Sequence, residues 1–484
     1  MASSSTTSLP SRPLSQKSAT AGITVDELAH QTTDLSVGDL DEKLDDPNTA
    51  FPDVSRPPSP PSVTNPYDID PELAAKVFTN RTDIFIHSGV RLCCGLLLLV
   101  FSMIENPIFS KILYVVGFKG DRERGTSLLW QATRYPNFNS AIAGLALLGF
   151  YNGLVGFSDI LPTDDAAEDN MVGFPKQKCE ALLVDMKSRH PDSRLWKLEE
   201  ARMLSYNKDL QGAIVILEEN SKSKMKQIAM INTFEMALTT LFAHEYQKAA
   251  VAWVKCSKQS AWSPTLYYYM AGVSHVELYR NARLSNPKGA AVHKNKATEL
   301  LLKAPSLAVG KWEQRAKAWG VDLVDAIGPS PYVEMIYFWN GVKKSGSSEL
   351  EKCLDLLKDE RMTCPEKCGG DEDDVAIHHL LRGCMFRNLG KYEEARKILT
   401  KEIVDSERHI RGALRDDWTL PSATYELAAC SWSEKDLSLQ RGVQQRERFR
   451  RKSWPQTYVF EARMSFKIST SLLTVRRHKV LMGI

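Results

Sequence analysis

This 484-residue chain predicts an all-α fold assembled from repeated helical pairs, and three observations predict it. From about residue 166 to 430, apolar residues recur at three and four among long runs of Ala, Leu, Glu and Lys, the period of amphipathic helices. No stretch of that region alternates as a strand-rich domain does. Small residues also recur in pairs at a fixed spacing: Ala201 with Ala213, Ala237 with Ala249, and Gly383 with Ala395, each twelve apart. Ala201 to Ala237 is 36 residues and Ala237 to Gly272 is 35. A period near 34 is the signature of tetratricopeptide-like helical pairs, which stack into a solenoid.

Within each pair, the first small residue belongs on the first helix and the second on its partner, because the two helices cross closely. The residue three before each second alanine is bulky (Leu210, Tyr246, Tyr392) and fits the angle between the helices. "GKYEEA", 390–395, reads as the turn into a second helix. Trp196 and Trp253 supply large apolar contacts between neighbours. The third pair carries an insertion, "NARLSNPKGAAVHKNK" (281–296), before Ala297, and "GPSP" at 328–331 punctuates the array.

Two segments precede the array. Residues 1–70 are rich in Ser, Thr, Pro and Asp and hold 4 Lys/Arg against 11 Asp/Glu. They have too few apolar residues to offset the entropy of ordering, so an acidic disordered tail is expected. Ser59-Pro60, inside "RPPSPPS", has the composition of a phosphorylation site. Residues 71–165 form an apolar helical region. "LCCGLLLLVFSMI", 92–104, is uncharged but shorter than the roughly 20 residues of a membrane span. Tyr135 to Ser158 is uncharged for 24 residues, yet Pro136, Asn137, Asn139, Asn152 and several glycines dilute it. The reading is two buried helices packed on each other; a hairpin in a bilayer or droplet surface is its rival.

After 430 the chain turns basic. Residues 441–484 hold 11 Lys/Arg against 2 Asp/Glu, with "RERFRRK" at 446–452 and "RRHK" at 476–479. A solvated face of a terminal helix accounts for these runs. Without an aromatic-studded module they do not make a nucleic-acid-binding protein. Nine cysteines, an odd number scattered through a long chain, do not form a disulfide framework. The first thirty residues lack the apolar core of a signal peptide. Both facts favour a reducing, cytosolic compartment.

Three stretches invite a reading as chemistry. "VVGFKGDRERGTSLL", 115–129, resembles a phosphate-cradling loop, but Thr126 stands where the lysine belongs, and Asp121 and Glu123 would repel an anion. The expected structure is a charged turn. Gly120 and Gly125 would permit it, between a helix ending near Phe118 and one starting near Thr126, with Asp121, Arg122, Glu123 and Arg124 pairing locally or capping helix ends. Cys364 and Cys368 with His378 and His379 suggest zinc, yet no second cysteine pair has suitable spacing. No G-x-S-x-G motif is present, and none of the ten histidines has a recognisable catalytic setting. No catalytic, metal or cofactor residue is assigned, no cofactor is expected, and the chain reads as a non-enzyme.

"ILYVVGFKGDRERGTSLLWQA" also resembles the signature of a eukaryotic family of tetratricopeptide proteins. That family contains the fungal inclusion body clearance proteins and the animal tetratricopeptide repeat protein 39 group. Matching pieces are "SRLWKLEEARMLSYNKDLQGAI" (193–214), "PYVEMIYFWNG" (331–341), "GKYEEARKIL" (390–399) and "LPSATYELAA" (420–429). The resemblance covers about residues 85–430. It implies an adaptor in cytoplasm and nucleus that binds lipid-droplet proteins and helps clear inclusions after folding stress. A mitochondrial outer membrane or droplet-surface location is the alternative, with peripheral membrane contact. It brings no catalytic residues. The arginine-rich segment after 430 departs from the cleaner final helical pair expected, so an altered or missing terminal cap is anticipated there.

Overall fold

The computed structural model describes residues 80–104, 120–156, 175–406 and 418–441, with positions 113, 115, 117 and 159 in addition and without 224 and 305. The acidic tail with Ser59, the helix end near Phe118, the basic runs and the terminal cap lie outside the described residues. Among the described residues every regular element is helical.

The apolar N-terminal region forms three helices. Helix α1 (Arg81–Ser102) starts where the Asn80 side chain accepts from the Thr82 N–H. Helix α2 (Arg122–Ala132) starts where Asp121 accepts from the Arg124 N–H, four residues before the expected Thr126. Helix α3 (Phe138–Leu148) is capped by Asn137 and continues as a π-turn through Gly149–Val155. Two of the polar residues that dilute the second apolar stretch, Asn137 and Asn139, bond to α1. Asn137 and Asn139 both donate to the Ser88 hydroxyl, at 2.9 and 3.0 Å, and Asn139 also reaches the Phe85 carbonyl at 2.9 Å. Arg91 donates to the Tyr135 hydroxyl at 2.7 Å. These bonds pin α1 to the loop before α3, since a buried polar group must find a partner.

Helices α4 (Lys176–Arg189) and α5 (Arg194–Tyr206) follow. They share a core with the N-terminal helices: Leu92, Leu129, Trp130 and Leu147 pack with Cys179, Leu182, Trp196 and Met203. The apolar region therefore shares its core with the first two helices that follow it. Pairing then proceeds as the spacing predicts. Helix α5 pairs with α6 (Leu210–Asn220), α7 (Lys226–Phe242) with α8 (Tyr246–Gln259), and α9 (Pro264–Ala282) with α10 (Pro287–Leu302). Ala201, Ala213, Ala237 and Ala249 are all fully buried. A Cβ on Gly272 would sit 2.8 Å from the Leu301 side chain, and one on Gly383 would sit 2.5 Å from Leu399. The glycines in these pairs admit a leucine of the second helix, so a bulkier residue there would push the helices apart.

After α11 (Leu307–Trp319) the repeat is interrupted. A 3₁₀ turn (Leu323–Ala326), α12 (Pro331–Phe338), a short turn (Gly341–Lys344) and α13 (Ser347–Leu356) intervene. Pro331 takes the first position of α12, where its missing N–H costs nothing, and Ser330 caps it. The array resumes with α14 (Glu372–Asn388) and α15 (Tyr392–Leu399), the latter ending in a π-turn (Thr400–Val404), and closes with α16 (Thr419–Arg441).

Candidate partner-binding surface

In a stack of helical pairs the first helices line the inner face. Here that face is largely occupied by the chain itself. Helix α12 packs on α7, α9 and α14, and the Gly341–Lys344 turn packs on α5 and α7. The Tyr332 hydroxyl donates to the Leu241 carbonyl at 3.0 Å. A Cβ on Gly341 would lie 2.2 Å from the Phe242 ring. The stretch "PYVEMIYFWNG" is thus a central post around which the inner helices are arranged.

Beside the post an aromatic cluster reaches the surface at Trp262, and a partly buried charged group lies nearby on α5 and α7. Phe234, on the inner side of α7, meets Trp253 at 5.7 Å, Trp339 at 5.6 Å and Trp262 at 6.4 Å, each edge to face. Trp262 is 52% exposed, so this cluster ends at the surface. Arg202 bridges Glu199 and Glu235. The Lys344 ammonium lies over the Tyr206 and Phe242 rings, at 4.9 and 5.7 Å. Burial comes first among the causes that hold its pKa below the usual lysine value, with Glu235 opposing and Arg202 adding to it. An exposed tryptophan at the end of a packed aromatic cluster is the kind of residue from which protein-binding hot spots are drawn.

The stretches singled out for chemistry are structural. Gly125 and Thr126 lie inside α2, and the Thr126 hydroxyl donates back to the Arg122 and Glu123 carbonyls. The expected turn-forming role of Gly120 and Gly125 is corrected. Neither has a left-handed φ; Gly117 does, at 91°. Both are close-approach glycines. A Cβ on Gly125 would lie 2.8 Å from the Leu99 nitrogen, and one on Gly120 would lie 2.2 Å from the Ser102 nitrogen. Backbone therefore passes against backbone at both ends of this segment, and Asp121 supplies the cap.

Cys368 is buried and its thiol is pushed up to about 11, chiefly by burial. His378 sits 2.7 Å from the Leu357 carbonyl and donates to it. Among the described residues no three His, Cys, Asp or Glu side chains are grouped to hold a metal. Sequence reading did not pick out His244. It adopts φ 58°, with Nε2 3.1 Å from the Glu349 carbonyl and Nδ1 3.3 Å from the Tyr246 hydroxyl. Cys353 Sγ lies 3.4 Å from Nε2. Burial, then the Lys352 charge, lowers the His244 pKa to about 4. Burial also holds the Cys353 thiol far above its ordinary value. This pair is neutral near pH 7 and locks a turn.

Two helices, Arg81–Ser102 and Phe138–Val155, are long and apolar enough to cross a membrane by length and composition. The second is half enclosed by protein and tied down by the asparagine bonds. The first is enclosed on one side only, which departs from the expected fully buried pair.

Comparison with known proteins agrees with this architecture. Residues 54–389 match the family described as Iml2/Tetratricopeptide repeat protein 39. The chain is 69% identical to the "Inclusion body clearance protein iml2" of Sclerotinia sclerotiorum, over all of this chain and 74% of that one. It is 36% identical to the protein of the same name from Aspergillus terreus, over 86% of this chain and 63% of that one. It is 35% identical to the Pyricularia oryzae protein, over 87% of this chain and 62% of that one. The chain thus spans under two thirds of the Aspergillus and Pyricularia proteins. No solved structure matches it. With most of its length matched and the helical pairs in place, the chain belongs to the Iml2/Tetratricopeptide repeat protein 39 family.

Proposed function

We propose that this chain is a non-enzymatic adaptor that helps clear protein inclusions after folding stress by holding lipid-droplet proteins on its helical array. The observation that carries the reading is membership of a family whose relatives bear the name inclusion body clearance protein. The exposed Trp262, where the aromatic cluster meets the surface between α8 and α9, supports a binding role. Differential affinity does the work, with no bond made or broken. The setting is cytoplasm and nucleus, with the mitochondrial outer membrane or lipid-droplet surface as the alternative and any membrane contact peripheral.

The test is co-purification of the tagged chain from folding-stressed cells, with wild type and Trp262→Ala side by side. Droplet proteins should accompany the wild type and fall several-fold with Trp262→Ala, while circular dichroism is unchanged. Absence of droplet proteins from both samples would overturn the partner assignment. Equal recovery from both would move the binding surface elsewhere. Flotation before and after alkaline carbonate settles location: a chain stripped by carbonate is peripheral, and one that resists is inserted.

A further inference from the structure

Helix α1 is apolar on two opposite sides. Ser88, Leu92, Gly95 and Leu99 are buried against the other N-terminal helices. The far side carries Ile86, Val90, Cys93, Leu97 and Val100. All five are exposed: Ile86 by 53%, Val90 by 46%, Leu97 by 49% and Val100 by 47%, with Cys93 also in the exposed class. Their spacing runs four, three, four, three. That is a repeat of 3.5 residues, the a/d seam of a two-helix packing. At 3.6 residues per turn the five positions fall within a strip about 80° wide. Between Ile86 and Val100 no charged or hydrogen-bonding side chain other than the Cys93 thiol lies in it, and Thr82 and Asp83, one turn earlier, end it.

The shape of the strip says what covers it. A face meant for a broad core spans roughly 100° or more, whereas a strict a/d strip is the narrower seam that meets one other helix. A strip without charges is complementary to itself, so a second copy meets no repulsion. Five half-exposed side chains, flanked by the partly exposed Cys94, Leu96 and Phe101, present on the order of 500 Å² of surface. Two copies would then bury about 1,000 Å² in total, the lower bound for a specific interface. Cys93 lies seven residues from Ile86 and seven from Val100, at the centre of the strip. In an antiparallel two-fold pairing the central residue faces its own copy, and in a parallel pairing every seam residue does. Either arrangement sets Cys93 beside Cys93.

We propose that the chain pairs with a second copy of itself through the exposed strip of α1, forming a two-fold symmetric dimer with Cys93 at its centre. The full chain in reducing buffer is followed by sedimentation equilibrium across a concentration series. The expected result is a reversible doubling of mass. Mild oxidation should trap a disulfide-linked dimer in the wild type and in Cys94→Ser but not in Cys93→Ser, which still doubles its mass in reducing buffer. Leu97→Glu and Val90→Glu place a charge in the seam at exposed positions, so the fold survives by circular dichroism while the mass stays that of one chain.

A wild type that remains a monomer throughout overturns the proposal. So does a dimer that tolerates Leu97→Glu and yields no Cys93 crosslink, which would place the contact on another surface. Phosphatidylcholine vesicles give the last outcome. If a monomeric wild type binds them and Leu97→Glu does not, the strip meets lipid and the dimer is wrong. None of these results touches the adaptor reading, which rests on family membership and is tested through Trp262 and the co-purified partners.

Discussion

The same turn between paired helices is built three times from three different residues. Lys208, His244 and Gly390 each stand five residues before the alanine of a second helix, and each has a left-handed φ, of 65°, 58° and 75°. In each, the next N–H donates across the turn: Asp209 to Leu204, Glu245 to Thr240, and Lys391 to Phe386. Only glycine adopts this conformation without steric cost. Lys208 is exposed and its side chain does nothing that offsets the strain. Lys208→Gly should therefore stabilise the chain by about 0.5–1 kcal/mol, read as a raised urea midpoint at constant slope. His244 has the opposite balance, because its ring bonds to Glu349 and Tyr246 would be lost with the side chain.

His244 also carries a pH dependence. Its pKa is lowered from 6.5 to about 4 in the folded chain. The unfolded chain therefore binds the extra proton first, and the stability of the neutral ring is lost as pH falls from 6.5 towards 4. The loss amounts to ~3 kcal/mol from this group. Urea unfolding at pH 7 and pH 4.5 measures it, and His244→Gln should flatten that part of the profile. An unchanged difference in the variant would show that another group is responsible.

At the scale of the element, helix crossings are decided by backbone contact. Gly95 and Gly125 face each other where α1 crosses α2, and a Cβ on either would lie 2.8–2.9 Å from backbone atoms of the other helix. Backbone cannot rotate away as the tip of a side chain can, so the helices themselves must separate. Gly125→Ala should cost about 1–3 kcal/mol, and Gly125→Val more. Thermal melting checks this, with Gly149→Ala as a control, since nothing lies within 4 Å of a Cβ at Gly149. Repeat pairs follow the same logic with side chains, where Gly272 and Gly383 each admit one leucine.

For the whole molecule, the telling contact joins residues far apart in the chain. Asp159 follows the N-terminal helices, and its carboxylate accepts from the Tyr425 hydroxyl of α16 at 2.9 Å and pairs with Arg387 of α14 at 3.3 Å. Arg387 also pairs with Glu426, and both are buried. Lys343, from the central post, donates to the Gly156 carbonyl at 2.8 Å. An open solenoid would leave its ends apart. Here the first helices, the post and the last pair are tied at one polar cluster. Arg387→Met would leave two carboxylates in low dielectric and should cost about 3–5 kcal/mol. Pairing it with Glu426→Leu should recover part of that loss, since the uncompensated charge is the larger part of the penalty. Equal destabilisation in the single and double variants would argue that packing, not charge, holds the cluster.

Periodicity and spacing read from the sequence were enough for the helical pairs and their small-residue crossings, because these depend on neighbours one turn or one helix away; the family came from the resemblance of its motifs. Asp121 was legible as a cap for the same reason. The sequence also carried the 4-3-4-3 strip of α1, but its exposure depends on which side the other helices cover, and that is a property of the packed chain. The Gly390 turn was legible in "GKYEEA", but Lys208 and His244 are different residue types, so that they form the same turn is visible only in backbone angles. The central post, the Asp159 cluster and the aromatic cluster ending at Trp262 were likewise decided by tertiary structure alone. They join residues tens to hundreds of positions apart, and no local period constrains which of them meet.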